Sequence, residues 1–326
     1  MDDLFAANNR RYLITRTVSY DDRESWGPHV DVIAEAGYFN AITERLPSWL
    51  HPLAYKWLPI QFALKLLRIS RPYSGVAVGR YGLWFPVFCR LLRRPIKVVL
   101  TDQEWREHES GWMNHWAAVT SDAVCCNTRA EIERYSKHFN VSQDKFVLVP
   151  LAFQKRDLRL TSDEGYIFAG GTQGRDWNTL FRAVEGLKYP VRIYTLQEFN
   201  HLPSNVTAIS TDREGYYTAM AAASCVVVPL KPEPMRITGT TTFTAAMGMG
   251  KVVLVTEPWG APDYMEQGVS GFYVDYGDAN TLRNYIIEVM ENSALRLQIG
   301  EAARLRALTD FSPEAYRKRV LELLRG

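Results

Sequence analysis

Short apolar runs alternate with longer stretches of helical periodicity along almost the whole chain, and nothing else in the sequence restricts the fold as tightly. In the first half, residues 11–16, 75–79, 96–101, 123–127 and 146–151 read as strands. Apolar residues recur at helical spacing across 53–69, 83–93, 110–119 and 129–139. A strand, a helix and another strand in sequence make a βαβ unit, which requires a parallel sheet covered by helices and right-handed crossovers. The polar stretch QKRDLRLTSDEG at 154–165 interrupts the pattern and reads as a linker. Alternation then resumes, with strands expected at 166–169, 191–194, 206–209, 225–229, 252–256 and 271–274. Helices are expected at 178–185, 214–223, 241–249 and 280–292. The expected fold is α/β, with two Rossmann-like doubly wound domains, at 1–155 and 160–310. Such domains take ligands at the carboxyl ends of their strands, and two in series do so in the cleft between them.

Composition agrees with two folded cores, since 47% of residues are hydrophobic and 23% charged over 326 positions. A formal charge of only +2 argues against a general nucleic-acid partner. Cys89, Cys125, Cys126 and Cys225 lie in apolar runs with no Cys-x-x-Cys pair, so they read as core packing, not as disulfides or zinc ligands. Residues 1–9 are polar and acidic without an apolar signal, and Lys or Arg breaks the longest apolar runs. The expectation is a cytoplasmic protein without a membrane span.

Two segments carry the chemistry. In YIFAGGTQGRDWNTL (166–180), a strand runs into Gly170, Gly171 and Gly174 and then a helix starting near Asp176. Glycines let a ligand approach the backbone, a helix start offers N–H groups to an anion, and Arg175 can grip a diphosphate in a bidentate way. Taken alone, the loop reads equally well as an ordinary turn. In CVVVPLKPEPMRITGTTTFTAAMGMGK (225–251), a strand ends at Pro229 and a loop carries Lys231, Glu233 and Arg236. A helix opens at Gly239-Thr240-Thr241-Thr242 as a second anion-binding nest, or alternatively as a plain capped helix. Two nests at strand ends of one domain should converge on one side of its sheet, as a diphosphate requires. No Gly-x-Gly-x-x-Gly follows the opening strand, which argues against a nicotinamide enzyme.

Together with the residues C-terminal to them, these segments resemble the retaining GT-B glycosyltransferases of the family 4 type. AGGTQGRDWNTLFRAV is similar to that family's first donor-domain strand, loop and helix. The run from ASCVVVPLKPEPMRITGTTTF to YVDYGDANTL is similar to its donor-binding core, and FSPEAYRKRVLELL to its last helix. The resemblance covers residues 163–324. It implies that a closing helix at 311–326 joins the first domain, that the first domain binds the acceptor, and that the second binds a nucleotide-diphosphate sugar. Gly170, Gly171, Thr172 and Arg175 would hold the diphosphate, with Lys231 and Arg236 nearby. Gly239, Thr240, Thr241 and Thr242 would cradle its distal phosphate, and Gly250 and Lys251 would end the helix under the ribose. The family's Glu-x7-Glu pair is missing, because Ile237 and Ala245 stand at its two positions and Glu233 is out of register. Ribose recognition would then fall to Thr242, Thr244 or Glu257.

The resemblance further implies glycosyl transfer with retention, without metal or other cofactor, to a hydroxyl of a glycan, glycolipid or lipid-linked saccharide. Loss of the second Glu motivates one alternative, an inactive GT-B scaffold; a phosphorylase-type enzyme on the same fold is another. In the first half, Asp102 and Glu104 follow a strand at its carboxyl end and could orient or deprotonate an acceptor hydroxyl, or simply cap the next helix. Trp105, Trp112, His115 and Trp116 cluster behind them, as core or as a sugar-stacking surface. Residues 53–71 and 83–97 combine apolar faces with Lys56, Lys65, Arg68, Arg71, Arg90, Arg93, Arg94 and Lys97. They read as helices with a solvated basic side, or as peripheral contacts with an anionic membrane.

Overall fold

A computed structural model describes residues 11–16, 26–35, 46–105 and 111–325. The chain divides into two compact units, one made of Met1–Val149 with Arg317–Gly326, the other of Pro150–Tyr316. Residues 1–9 and residues 17–25 lie outside the described residues.

The first unit holds a six-stranded parallel sheet of β1 (Tyr12–Arg16), β2 (Val30–Ala34), β3 (Gly75–Val78), β4 (Lys97–Leu100), β5 (Ala123–Cys126) and β6 (Phe146–Leu148). Their order across the sheet is β2-β1-β3-β4-β5-β6. Central strands such as β3 and β5 are buried along their whole length, as a sheet with helices on its faces demands. Helices span His51–Ile69, Trp84–Leu91, Gly111–Thr120 and Arg129–Phe139. The last is fixed at both ends by local chemistry. The Thr128 hydroxyl accepts from the Glu131 N–H at 3.1 Å, and Asn140 closes the helix in the left-handed region at φ 51°.

The second unit repeats the plan with β7 (Ile167–Gly170), β8 (Val191–Tyr194), β9 (Val206–Ile209), β10 (Cys225–Val228), β11 (Val252–Val255) and β12 (Phe272–Tyr273). The order is β12-β11-β10-β7-β8-β9, all parallel. β7 and β10 are therefore neighbours, so the turns that leave their carboxyl ends start side by side. Asp176, Asp212, Asp278 and Asn292 each cap the helix that follows, accepting a backbone N–H three residues on.

Three elements differ from the sequence reading. Strand β2 was not expected, because it is a short edge strand interrupted by Asp31, which pairs with Arg11 at 2.7 Å. The helix Ser293–Asp310 was also unexpected. It buries only Ile299 and the small residues Gly300, Ala303 and Ala307, so its apolar periodicity is faint. A Cβ at Gly300 would lie 2.2 Å from the Gly250 carbonyl oxygen, so this contact needs glycine. The polar stretch 154–165 is no free linker but part of the second unit: Asp157 is buried and paired with Arg213 at 2.6 Å, and Asp163 accepts from the Ser224 hydroxyl. The four cysteines are buried and free, and burial pushes the Cys89 thiol up to about 12, which keeps it protonated and inert. Among the described residues no helix is long and apolar enough to cross a membrane.

Candidate functional site

The site of the second unit begins where β7 ends. Gly170 lies under the Tyr216 ring, and a Cβ there would come within 2.6 Å of it. Gly171 has φ +113°, and a Cβ on it would meet the Arg175 guanidinium at 2.3 Å. The loop thus returns Arg175 into the space that a side chain at 171 would occupy. Its Nε donates to the Gly170 carbonyl at 2.7 Å, one terminal nitrogen donates to the Gln173 carbonyl at 2.8 Å, and the other to Thr242 Oγ1 at 3.2 Å. Arg175 is 7% exposed. Burial pulls its pKa down from the ordinary value, while Tyr216 beside it works in the opposite direction. The Tyr216 hydroxyl lies 3.3 Å from Thr242 Oγ1, so the buried Arg175 and Thr242 and the partly buried Tyr216 form one polar group. Gly171→Ala should strain the backbone by of order 1–3 kcal/mol and displace Arg175. A lowered melting temperature together with weakened nucleotide binding would be its signature.

The second nest leaves β10. Thr256 pins Leu230 twice, accepting from its N–H at 2.7 Å and donating to its carbonyl at 3.1 Å. Arg175 and Leu230 form an antiparallel bridge, and the Lys231 N–H donates to the Gly174 carbonyl at 2.9 Å. The two loops are therefore stitched together along their backbones. Gly239, at φ +76°, opens the helix Thr240–Gly248 in a conformation L-residues avoid, and a Cβ there would lie 2.9 Å from Val228. The first turn of that helix presents N–H groups beside Thr242 and Arg175.

The structure thus brings together Gly170, Gly171, Arg175, Gly239, Thr240 and Thr242. Thr172, Lys231 and Thr241 are exposed at the rim, and Arg236 is buried. Tyr216 was not found by sequence reasoning, since it arrives from the separate helix Arg213–Ala222. Glu257 is engaged by its own turn. Its two oxygens accept from the N–H groups of Trp259, Gly260 and Ala261 and from the Tyr276 hydroxyl, which occupies the carboxylate with its own turn. Gly250 and Lys251 follow the end of the helix Thr240–Gly248, and the Lys251 Nζ donates to the Ala223 carbonyl ahead of β10. Ala245 is buried in the core with Phe243 and Met247. Beside the nest, a cavity of about 500 Å³ opens at the carboxyl ends of β8 and β9, lined by Thr195, Leu196, Glu198, Phe199, Leu202 and Ile209 among others. The Gly171 N–H, bonded to the Tyr194 carbonyl, links it to the glycine loop.

In the first unit, Asp102 follows β4 at φ +55° and is half-buried, while Glu104 is exposed. The next described helix is Gly111–Thr120. The residue that the sequence hid here is Glu35, directly after β2. It is fully buried, takes the Thr15 hydroxyl on Oε1 and the Tyr81 N–H on Oε2 at 3.1 Å, and lies so close that a Cβ at Gly79 would be 2.8 Å from both oxygens. Burial raises its pKa to about 7, and the Asp102 charge adds to the rise against the opposing hydrogen bonds. An acid immediately after the apolar run VDVIA was the signal available. His115 is structural, its Nδ1 lying 2.6 Å from the Phe139 carbonyl, and Trp105 is core; Trp112 and Trp116 are exposed.

Residues 186–306, within the second unit, match the family model for glycosyl transferases group 1. No curated protein matches the sequence. Among solved structures, the chain is similar to HepE of Anabaena in complex with UDP, at a TM-score of 0.72 and 17% identity, over 96% of this chain and 99% of that one. It is similar to a glycosyltransferase from Rickettsia africae at 0.71 and 12%, over 98% of each chain. The sucrose-phosphate synthase of Thermosynechococcus elongatus gives 0.69 and 15%, over 97% of this chain and 98% of that one. The chain thus has the GT-B fold, and residues 186–306 of its second unit match the group 1 glycosyl transferase model.

Proposed function

We propose that the chain moves a sugar from a nucleotide-diphosphate sugar to an acceptor hydroxyl, with the diphosphate seated between the Gly170–Arg175 loop and the start of the helix Thr240–Gly248. The observation that carries this reading is the Arg175–Thr242 hydrogen bond, which joins two anion-binding turns around one buried guanidinium. The Anabaena HepE structures with UDP and with UDP-glucose support a uridine nucleotide as the first donor to try. In the reaction, negative charge grows on the departing diphosphate. Arg175, held in plane by its own loop before any ligand arrives, and the helix N–H groups stabilise that charge, aided by Lys231 and Arg236. These groups supply what a divalent cation supplies elsewhere, so transfer proceeds without metal. Leaving and attack on one face of the sugar give retention. Asp102 and Glu104 are the acceptor-side residues, and the acceptor is a glycan or lipid-linked saccharide.

The test is a thermal-shift panel of nucleoside diphosphates and their sugars, with and without EDTA. Stabilisation by one nucleotide, unchanged by EDTA, is the expected result. Stabilisation that EDTA removes would overturn metal independence, and no stabilisation by any nucleotide would leave the scaffold reading, with Ala245 as its cause.

A further inference from the structure

Between residues 46 and 101 the chain carries nine lysines and arginines and no aspartate or glutamate, although its overall charge is only +2. The helices built from this stretch and the next expose large apolar side chains among those cations. On His51–Ile69 the outward face carries Trp57, 59% exposed, with Leu64, Lys65 and Arg68. On Gly111–Thr120, Trp112 and Trp116 are 60% and 51% exposed and stand one turn apart on one side. Between these helices, Trp84 meets Trp112 edge-on at 5.5 Å, and Trp84–Leu91 ends in Leu91, 74% exposed, beside Arg90 and Arg93.

Topology places these side chains on one surface. β2 to β3, β3 to β4 and β4 to β5 all step in the same direction across a parallel sheet. Right-handed crossovers therefore put all three connecting helices on the same face of that sheet. The outward sides of neighbouring helices then form one layer, aromatic and aliphatic, set among positive charges. Water-soluble surfaces rarely expose apolar patches of this kind without a partner.

We propose that this helical face of the first unit docks on a lipid bilayer rich in anionic headgroups. Tryptophan favours the headgroup level, where its ring meets acyl chains and its N–H meets water or ester oxygens. Lys65, Arg68 and Arg93 face lipid phosphates, while Arg90 is tied to the Thr120 carbonyl and Asp122, and Leu64 and Leu91 enter the acyl boundary. A nucleic acid would engage the cations and some rings but would leave the leucines in water, so the bilayer fits more of the surface. The proposal deepens the acceptor reading above, on which it rests only in selecting a lipid-linked saccharide; the docking itself needs no donor.

The test is co-sedimentation of the full chain, without nucleotide, with phosphatidylcholine vesicles containing or lacking phosphatidylglycerol. Binding should require phosphatidylglycerol and fall with added salt. It should weaken about tenfold or more in both the Trp112→Ala/Trp116→Ala and the Lys65→Ala/Arg68→Ala variants. Both pairs lie in the first unit, so an unchanged ligand-free melting profile and far-UV circular dichroism spectrum show that a variant is folded. No sedimentation with either vesicle, undiminished binding by both variants, or binding to single-stranded RNA but not to vesicles would each overturn the proposal. A failed donor screen beside intact vesicle binding would strike the transfer reading instead.

Discussion

Replacing Arg175 by alanine should abolish nucleotide-induced stabilisation and lower kcat/KM for sugar transfer by about 10²–10³-fold, the range for losing a pre-positioned donor to a developing anion. The guanidinium is held by the carbonyls of Gly170 and Gln173 and by Thr242 Oγ1, so its position is set before the diphosphate enters. The same bonds mean that alanine also removes partners from buried acceptors, at about 1–3 kcal/mol for each one left unsatisfied. Two effects must therefore be separated. Arg175→Lys keeps the charge but cannot span three acceptors with one planar fork, so it should retain part of the nucleotide shift while losing loop rigidity. Tyr216→Phe removes only the hydroxyl beside Thr242 and should cost little in nucleotide binding. Titration calorimetry with a nucleoside diphosphate, alongside melts without ligand, resolves binding from stability. A folded Arg175→Ala protein with unchanged nucleotide affinity would remove the diphosphate site from this loop.

The parts of this site that were legible in the sequence are those fixed by local conformation. Gly171 and Gly239 announce positive φ, and the threonines after Gly239 announce a helix start, so both nests were readable as turns. Their union was only an expectation from topology, because the β7–β10 adjacency depends on strand order. Tyr216 gave no signal, since on its own helix it is one aromatic in an amphipathic pattern, and only packing brings it over Gly170. Glu257 entered the reading as one substitute for the carboxylate missing at Ala245. The N–H groups of the next turn take it instead, in a cap that the Pro258–Gly260 turn makes local. In the first unit the same logic hid Glu35, whose strand is short, carries Asp31, and lies at the sheet edge.

Glu35 should make the first unit less stable as pH rises from 5 to 8, and Glu35→Gln should flatten that dependence. In the unfolded chain the carboxyl ionises near its ordinary 4.5, whereas in the folded unit burial holds it at about 7. Below 4.5 both states keep the proton and the residue imposes no penalty. Between these values the unfolded state gives up its proton first, so stability falls. Above 7 both are ionised and the loss is complete, at about 3 kcal/mol for a fully buried group. Urea melts across this range should show the wild type losing stability that Glu35→Gln keeps; parallel curves for the two proteins would refute the assignment. The neighbours test its cause. Asp102→Asn removes a charge that raises the pKa and should move the transition to lower pH, while Thr15→Val removes a hydrogen bond that lowers it and should move the transition to higher pH. Opposite shifts from these two residues would show that both act on the buried Glu35 carboxyl. Glu35 thereby ties Thr15, Gly79 and Tyr81 into one hydrogen-bonded cluster at the carboxyl ends of the first unit's strands.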